Sequence, residues 1–179
     1  MTTLRNLFLF ISSFALLISI ASCDLTDTGI DENELSDDAI KLEFATVDSA
    51  IITLDQSAHG SYAFREKTQL VFESEDEFAA FWELLHHTMS PTPSLPDVDF
   101  SEYTVLAVIM GVQPTGGYSI LVTDVISDNG KIHVKIDEKT PGSGCVNIQV
   151  LTSPYHIVKI PAVSGADFDF VTDRKSVDC

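Results

Sequence analysis

A chain of 179 residues with 27 acidic and 10 basic side chains carries a formal net charge of −17. A surface that acidic is repelled by phosphate backbones, which excludes nucleic acid as a partner. With 45% apolar residues the chain still has enough material for one domain with a real core. The chain opens on an export signal, residues 1–22. Arg5 is its one charged side chain, an apolar stretch spans 7–20, and small residues close it. That stretch is shorter than the roughly 20 residues a spanning helix needs.

The signal ends in Ile20-Ala21-Ser22-Cys23, which resembles the bacterial lipobox. The resemblance implies cleavage before Cys23, acylation of Cys23, and a protein held by that lipid anchor on the extracytoplasmic side of the bacterial cell envelope. An ordinary cleaved signal is the alternative. Cleavage removes Arg5 and moves the net charge from −17 to −18. Residues 23–40 follow, with seven acidic side chains between Asp24 and Ile40 and no basic ones. So charged a segment with few apolar residues cannot offset its ordering entropy, and it reads as a self-repelling tether; an acidic interaction tail is the other reading.

Residues 41–179 form a single domain. Lys41 to Gln56 reads as one or two strands, 57–62 as a turn, and 67–74 as another strand. The period then changes. Ser74 and Glu77 have capping-box spacing, and Phe78, Phe81, Trp82 and Leu85 recur at i, i+3, i+4 and i+7, one apolar helical face with Trp82 in the core. Glu75, Asp76 and Glu77 suit the first turn. His86 and His87 fall in the last, with the helix ending near Thr88 or Met89 before Pro91.

After a loop at 91–102 the pattern is all strand. Residues 103–112 are apolar throughout, as expected of a strand buried on both faces. Residues 117–127 and 131–139 flank Asn129-Gly130, a hairpin signal, with Ile132, Val134 and Ile136 facing one way and Lys131, His133, Lys135 and Asp137 the other. Residues 141–145 turn the chain. Residues 146–153 and 155–161 read as two strands parted at Ser153-Pro154, and 167–171 as the last. The expected fold is α+β, mainly antiparallel β: a small sandwich or curled sheet of about eight strands with one amphipathic helix.

Chemistry-bearing patterns are scarce. Gly142-Ser143-Gly144 lacks the spacing of a nucleophile elbow, and there is no Walker loop or dinucleotide fingerprint. His86 and His87 diverge by about 100° on a helix and make a poor metal pair. His133 reads as a solvated strand histidine. Asp97-Val98-Asp99-Phe100 and Asp167-Phe168-Asp169-Phe170 lack EF-hand spacing and fit strand or loop alternation. The domain reads as non-catalytic, with no metal site and no cofactor. Two cysteines, Cys145 and Cys179, remain after lipidation, and an exported chain favours a disulfide over two free thiols.

The stretch Pro114-Thr115-Gly116-Gly117-Tyr118 is a tight strand connection or a recognition loop, and the residues alone leave both open. Together with Phe81-Trp82, Pro96 to Ser101, Gly111 to Tyr118 and Pro154 to Pro161, it resembles the C-terminal domain of the PrcB family, named after a subunit of an exported bacterial protease complex. The resemblance implies an accessory, non-catalytic protein whose partner is an extracytoplasmic protease. The candidate contact surface is Pro114 to Tyr118, and next Tyr155 and His156. The turn also resembles, more faintly, the loop of chagasin-like cysteine protease inhibitors, although Gln113 stands where that family has Asn and its Arg-Pro-Trp loop is missing. A structural envelope lipoprotein without a protease partner is the third reading.

Overall fold

In the computed structural model the described residues are 35–54 and 62–179. The signal, Cys23, most of the acidic segment and most of the 57–62 turn lie outside them. Eight strands and one helix follow in the order β1 (Ile40–Lys41), β2 (Ala45–Leu54), β3 (Thr68–Phe72), α1 (Glu75–Leu85), β4 (Tyr103–Ile109), β5 (Ser119–Asp128), β6 (Lys131–Pro141), β7 (Leu151–Pro161) and β8 (Asp167–Val177). One sheet has the order β1-β5-β6-β8 and the other β2-β7-β4-β3. The α+β, mainly antiparallel reading describes this molecule.

Three layers result. Between the sheets lies one core of Leu106, Val108 and Met110 with Ile120, Val122, Ile132, Val134, Ile136, Val158 and Ile160. The outer face of the β2-β7-β4-β3 sheet carries a second core, where Phe78, Phe81, Trp82 and Leu85 of α1 pack on Val105, Ala107, Ile109 and Ile157. β4 therefore alternates odd residues to the helix and even residues to the opposite sheet, which is why it is apolar at every position from 105 to 109. Trp82 is 4% exposed, and its indole N–H donates to the Pro93 carbonyl at 3.0 Å, fastening the loop after the helix. That loop ends in a turn capped by Asp99, whose carboxylate accepts from the Ser101 N–H at 2.9 Å and its hydroxyl at 2.6 Å.

α1 starts where its sequence says. The Ser74 hydroxyl accepts from the Glu77 N–H at 3.5 Å, one half of the expected capping box. It ends earlier than expected, with His86 as C-cap. His86 caps the helix instead of lying in its last turn, with its side chain 1% exposed and its Nδ1 3.0 Å from the Trp82 carbonyl. The 129–130 hairpin forms with positive φ at Asn129 (49°) and Gly130 (82°), a primed turn that matches strand twist.

Three strand expectations change. Residues 146–150 are a loop, and β7 runs unbroken through Pro154. Proline is tolerated there because of where its missing N–H points. Pro154 sits opposite Ile51 of β2, and on the other side its carbonyl accepts from the Met110 N–H at 2.9 Å. The Met110 carbonyl, deprived of a Pro154 donor, takes the Gln113 side-chain amide at 3.1 Å instead. β8 is eleven residues, not five, and it pairs with β6 in parallel. The parallel pair is reached because the chain leaves β6, adds β7 to the other sheet, and only then returns as β8. Asp167 and Asp169 face Lys131 at 4.0 Å and His133 at 3.3 Å, while Phe168 and Phe170 pack on the inter-sheet core.

The last residues of the acidic segment are tied to the domain. The Ser36 N–H and hydroxyl both donate to Asp128, and β1 pairs with Ser127 and Ile126. Among the described residues no helix is long and apolar enough to cross a membrane.

Candidate protein-binding site

The turn between β4 and β5 is built against a second loop. The Gln113 N–H and carbonyl pair with Thr152 at 2.7 and 3.0 Å, and the Gly116 N–H donates to the Ile148 carbonyl at 3.0 Å. The Thr152 hydroxyl donates to the Thr115 carbonyl at 2.7 Å, and the Thr115 hydroxyl to the Gly116 carbonyl at 3.0 Å. The two glycines allow this approach. Gly117 has φ +89°, and a Cβ there would lie 2.5 Å from Asn147 Oδ1. A Cβ on Gly116 would lie 2.7 Å from Ile148 Cγ1. The turn is a cradle for residues 147 and 148.

The candidate residues separate accordingly. Pro114 is exposed, Thr115 is half-buried and Gly116 is buried. Tyr118 packs partly on the inter-sheet core. Tyr155 and His156 are 3% and 4% exposed, so they offer no surface to a partner. β7 is interior to its sheet, and each of these side chains is spent on the fold. The Tyr155 hydroxyl donates to Asp48 Oδ2 at 2.6 Å and lies 3.2 Å from His86 Nε2. Burial and the Asp48 carboxylate push its ionisation far above the usual phenol range. His156 bridges the sheets. Its Nδ1 accepts from the Val122 N–H at 2.9 Å, which leaves the proton on Nε2, 3.0 Å from the Thr46 hydroxyl. Burial holds its pKa below the usual value.

Cys145 and Cys179 form a disulfide with Cα atoms 5.2 Å apart, tying the 142–150 loop to the end of β8. That loop carries the side chains the sequence reading missed. Val146 is 101% exposed and Ile148 65%. The alternation of 146–150 mimics a strand, and only its contact with the glycine turn reveals a loop that leaves branched aliphatics in water. Beside it a cleft of about 290 Å³ is lined by Arg65, Glu66, Val112, Gln113, Pro114 and Leu151. Among the described residues, no three His, Cys, Asp or Glu side chains are grouped to hold a metal ion.

Residues 104–161 match the PrcB C-terminal family. The match takes in 58 of the 179 residues and runs from β4 to β7, so the glycine turn, the 142–150 loop and the buried Tyr155 and His156 all lie within the matched span. β2, β3, α1 and β8 lie outside the matched span. No curated protein and no solved structure matches the chain.

Proposed function

We propose that this protein is a lipid-anchored accessory subunit that binds an extracytoplasmic protease at the bacterial cell envelope. The PrcB C-terminal match across β4 to β7 carries the reading, because that family is tied to a protease complex. Residues 1–22 act as the signal, Cys23 takes the lipid, the acidic segment spaces the domain from the membrane, and residues 41–179 make the contact. The protein contributes binding and positioning, and the partner contributes the catalysis.

Two measurements test it. Cys23→Ser should leave a slower-migrating precursor that is not acylated; a variant processed and released like wild type rejects the anchor. Affinity capture of the full-length lipidated protein from solubilised envelopes should recover a protease in stoichiometric amount. Capture that recovers envelope proteins but no protease leaves the structural-lipoprotein reading in its place.

A further inference from the structure

We infer that residues 145–149 are a substrate-like strip that seats Val146 and Ile148 in the peptide-binding cleft of the protease partner, an inference that rests on the protease association proposed above. The first observation is exposure: Val146 and Ile148 are among the most exposed large apolar residues described. Scattered surface aliphatics are ordinary, but these two stand two residues apart on one short run. The second is preorganisation. The Cys145–Cys179 disulfide fixes one end, where the Cys145 N–H also donates to the Gly142 carbonyl at 3.0 Å. The Ile148 carbonyl fixes the other end on Gly116, and Asn147 tucks against Gly117 between them. The fold thus holds apolar side chains out in water on a stapled loop, and a loop ordered beforehand loses little freedom on binding.

The third observation is charge. From Thr140 to Tyr155 there is no acidic or basic residue, in a chain whose net charge is −17. A contact centred here is apolar and uncharged. That argues against an anionic membrane, which repels the acidic domain around the strip, and against a second copy, which would bring two acidic domains face to face. A run with branched aliphatics at alternate positions suits a peptide cleft whose separate pockets take every second side chain, and the run enters it by its side chains, since the Cys145 N–H and the Ile148 carbonyl are already bonded within the domain. The turn bearing Gly116 and Gly117 is then the support of the contact rather than its surface.

The test uses the full-length lipidated protein with the photoreactive residue p-benzoylphenylalanine at position 146, and at position 84 on the exposed side of α1 as control. Irradiation should link position 146, not 84, to peptides lining the protease's catalytic cleft, and a covalent active-site inhibitor added beforehand should abolish the link. The double variant Val146→Asp, Ile148→Asp should keep the wild-type melting midpoint and lose about tenfold or more of the captured protease. A milder pair, Val146→Thr and Ile148→Thr, should fall in between. If protease is captured undiminished by both pairs, or links from 84 instead of 146, the inference fails while the association stands. Links from 146 to phospholipid or to a second copy also overturn it. Wild-type protein that captures no protease ends both readings.

Discussion

Gly117 shows how much of a site one residue can decide. Its φ of +89° suits glycine, and the space a Cβ would need is held by Asn147 Oδ1 and the Pro141 side chain. Gly117→Ala should therefore cost about 1–3 kcal/mol of stability in a urea melt; a loss within experimental error would mean that Asn147 yields freely. His156 makes the matching case in the interior. Its neutral form accepts from Val122, and burial depresses its pKa below the ordinary 6.5, so its contribution is present above about pH 6.5 and is lost as pH falls through the lower folded value. Wild type should lose urea stability between about pH 7.5 and pH 5 by more than His156→Gln does; equal losses would assign the dependence to other groups. The residue types of both positions are visible in the sequence, but what they do is not. The paired glycines announce a turn and are silent about the loop it supports. Nothing local tells that Tyr155 and His156, polar residues on an apolar strand, are turned inward to partners about 107 and 110 positions away.

At the scale of elements, legibility followed periodicity. The helical face of Phe78, Phe81, Trp82 and Leu85, the apolar run 105–109 of β4 and the Asn129-Gly130 hairpin each have a local signal that agrees with the fold. Pro154 misled because the rule against proline in a strand concerns an N–H that, here, faces a carbonyl served by Gln113. The parallel β8 was hidden because pairing direction depends on which sheet β7 joins, a long-range matter. Alternation places Glu138 on the inward side with Ile132, Val134 and Ile136, and a buried glutamate there calls for cations. Arg174, its partner on β8, donates from Nε and Nη2 at 3.0 and 2.7 Å, and Lys67, just before β3, approaches Oε1 at 2.7 Å as an ion pair outside hydrogen-bond directions. The cluster clasps the two sheets at one edge. Arg174→Met should cost about 1–3 kcal/mol, reduced by the exposure of the arginine, and the loss should shrink in a Glu138→Leu background. Equal losses in both backgrounds would mean that the two residues do not interact.

For the whole molecule, the disulfide joins what the two sheets leave apart. The inter-sheet core and the helix-side core are each continuous, and β8 is the last strand of its sheet among the described residues, held by β6. Cys179, two residues beyond β8, bonds to Cys145 in the loop that follows β6, across a sequence separation of 34. Closing a loop of that length stabilises by at most about 4 kcal/mol in the chain-entropy picture. Cys145→Ser with Cys179→Ser should therefore lower the unfolding free energy by about 2–4 kcal/mol without changing the sheets, because the cores do not include either cysteine. Hydrogen exchange should locate the loss. Amides from Gly142 to Ile148 and at the end of β8 should exchange faster, while those of β4 and central β7, packed in both cores, should keep their order of protection. If the double variant instead exposes β4 amides first, the bridge supports the cores rather than the loop, and the rigidity assigned to residues 145–149 has another source.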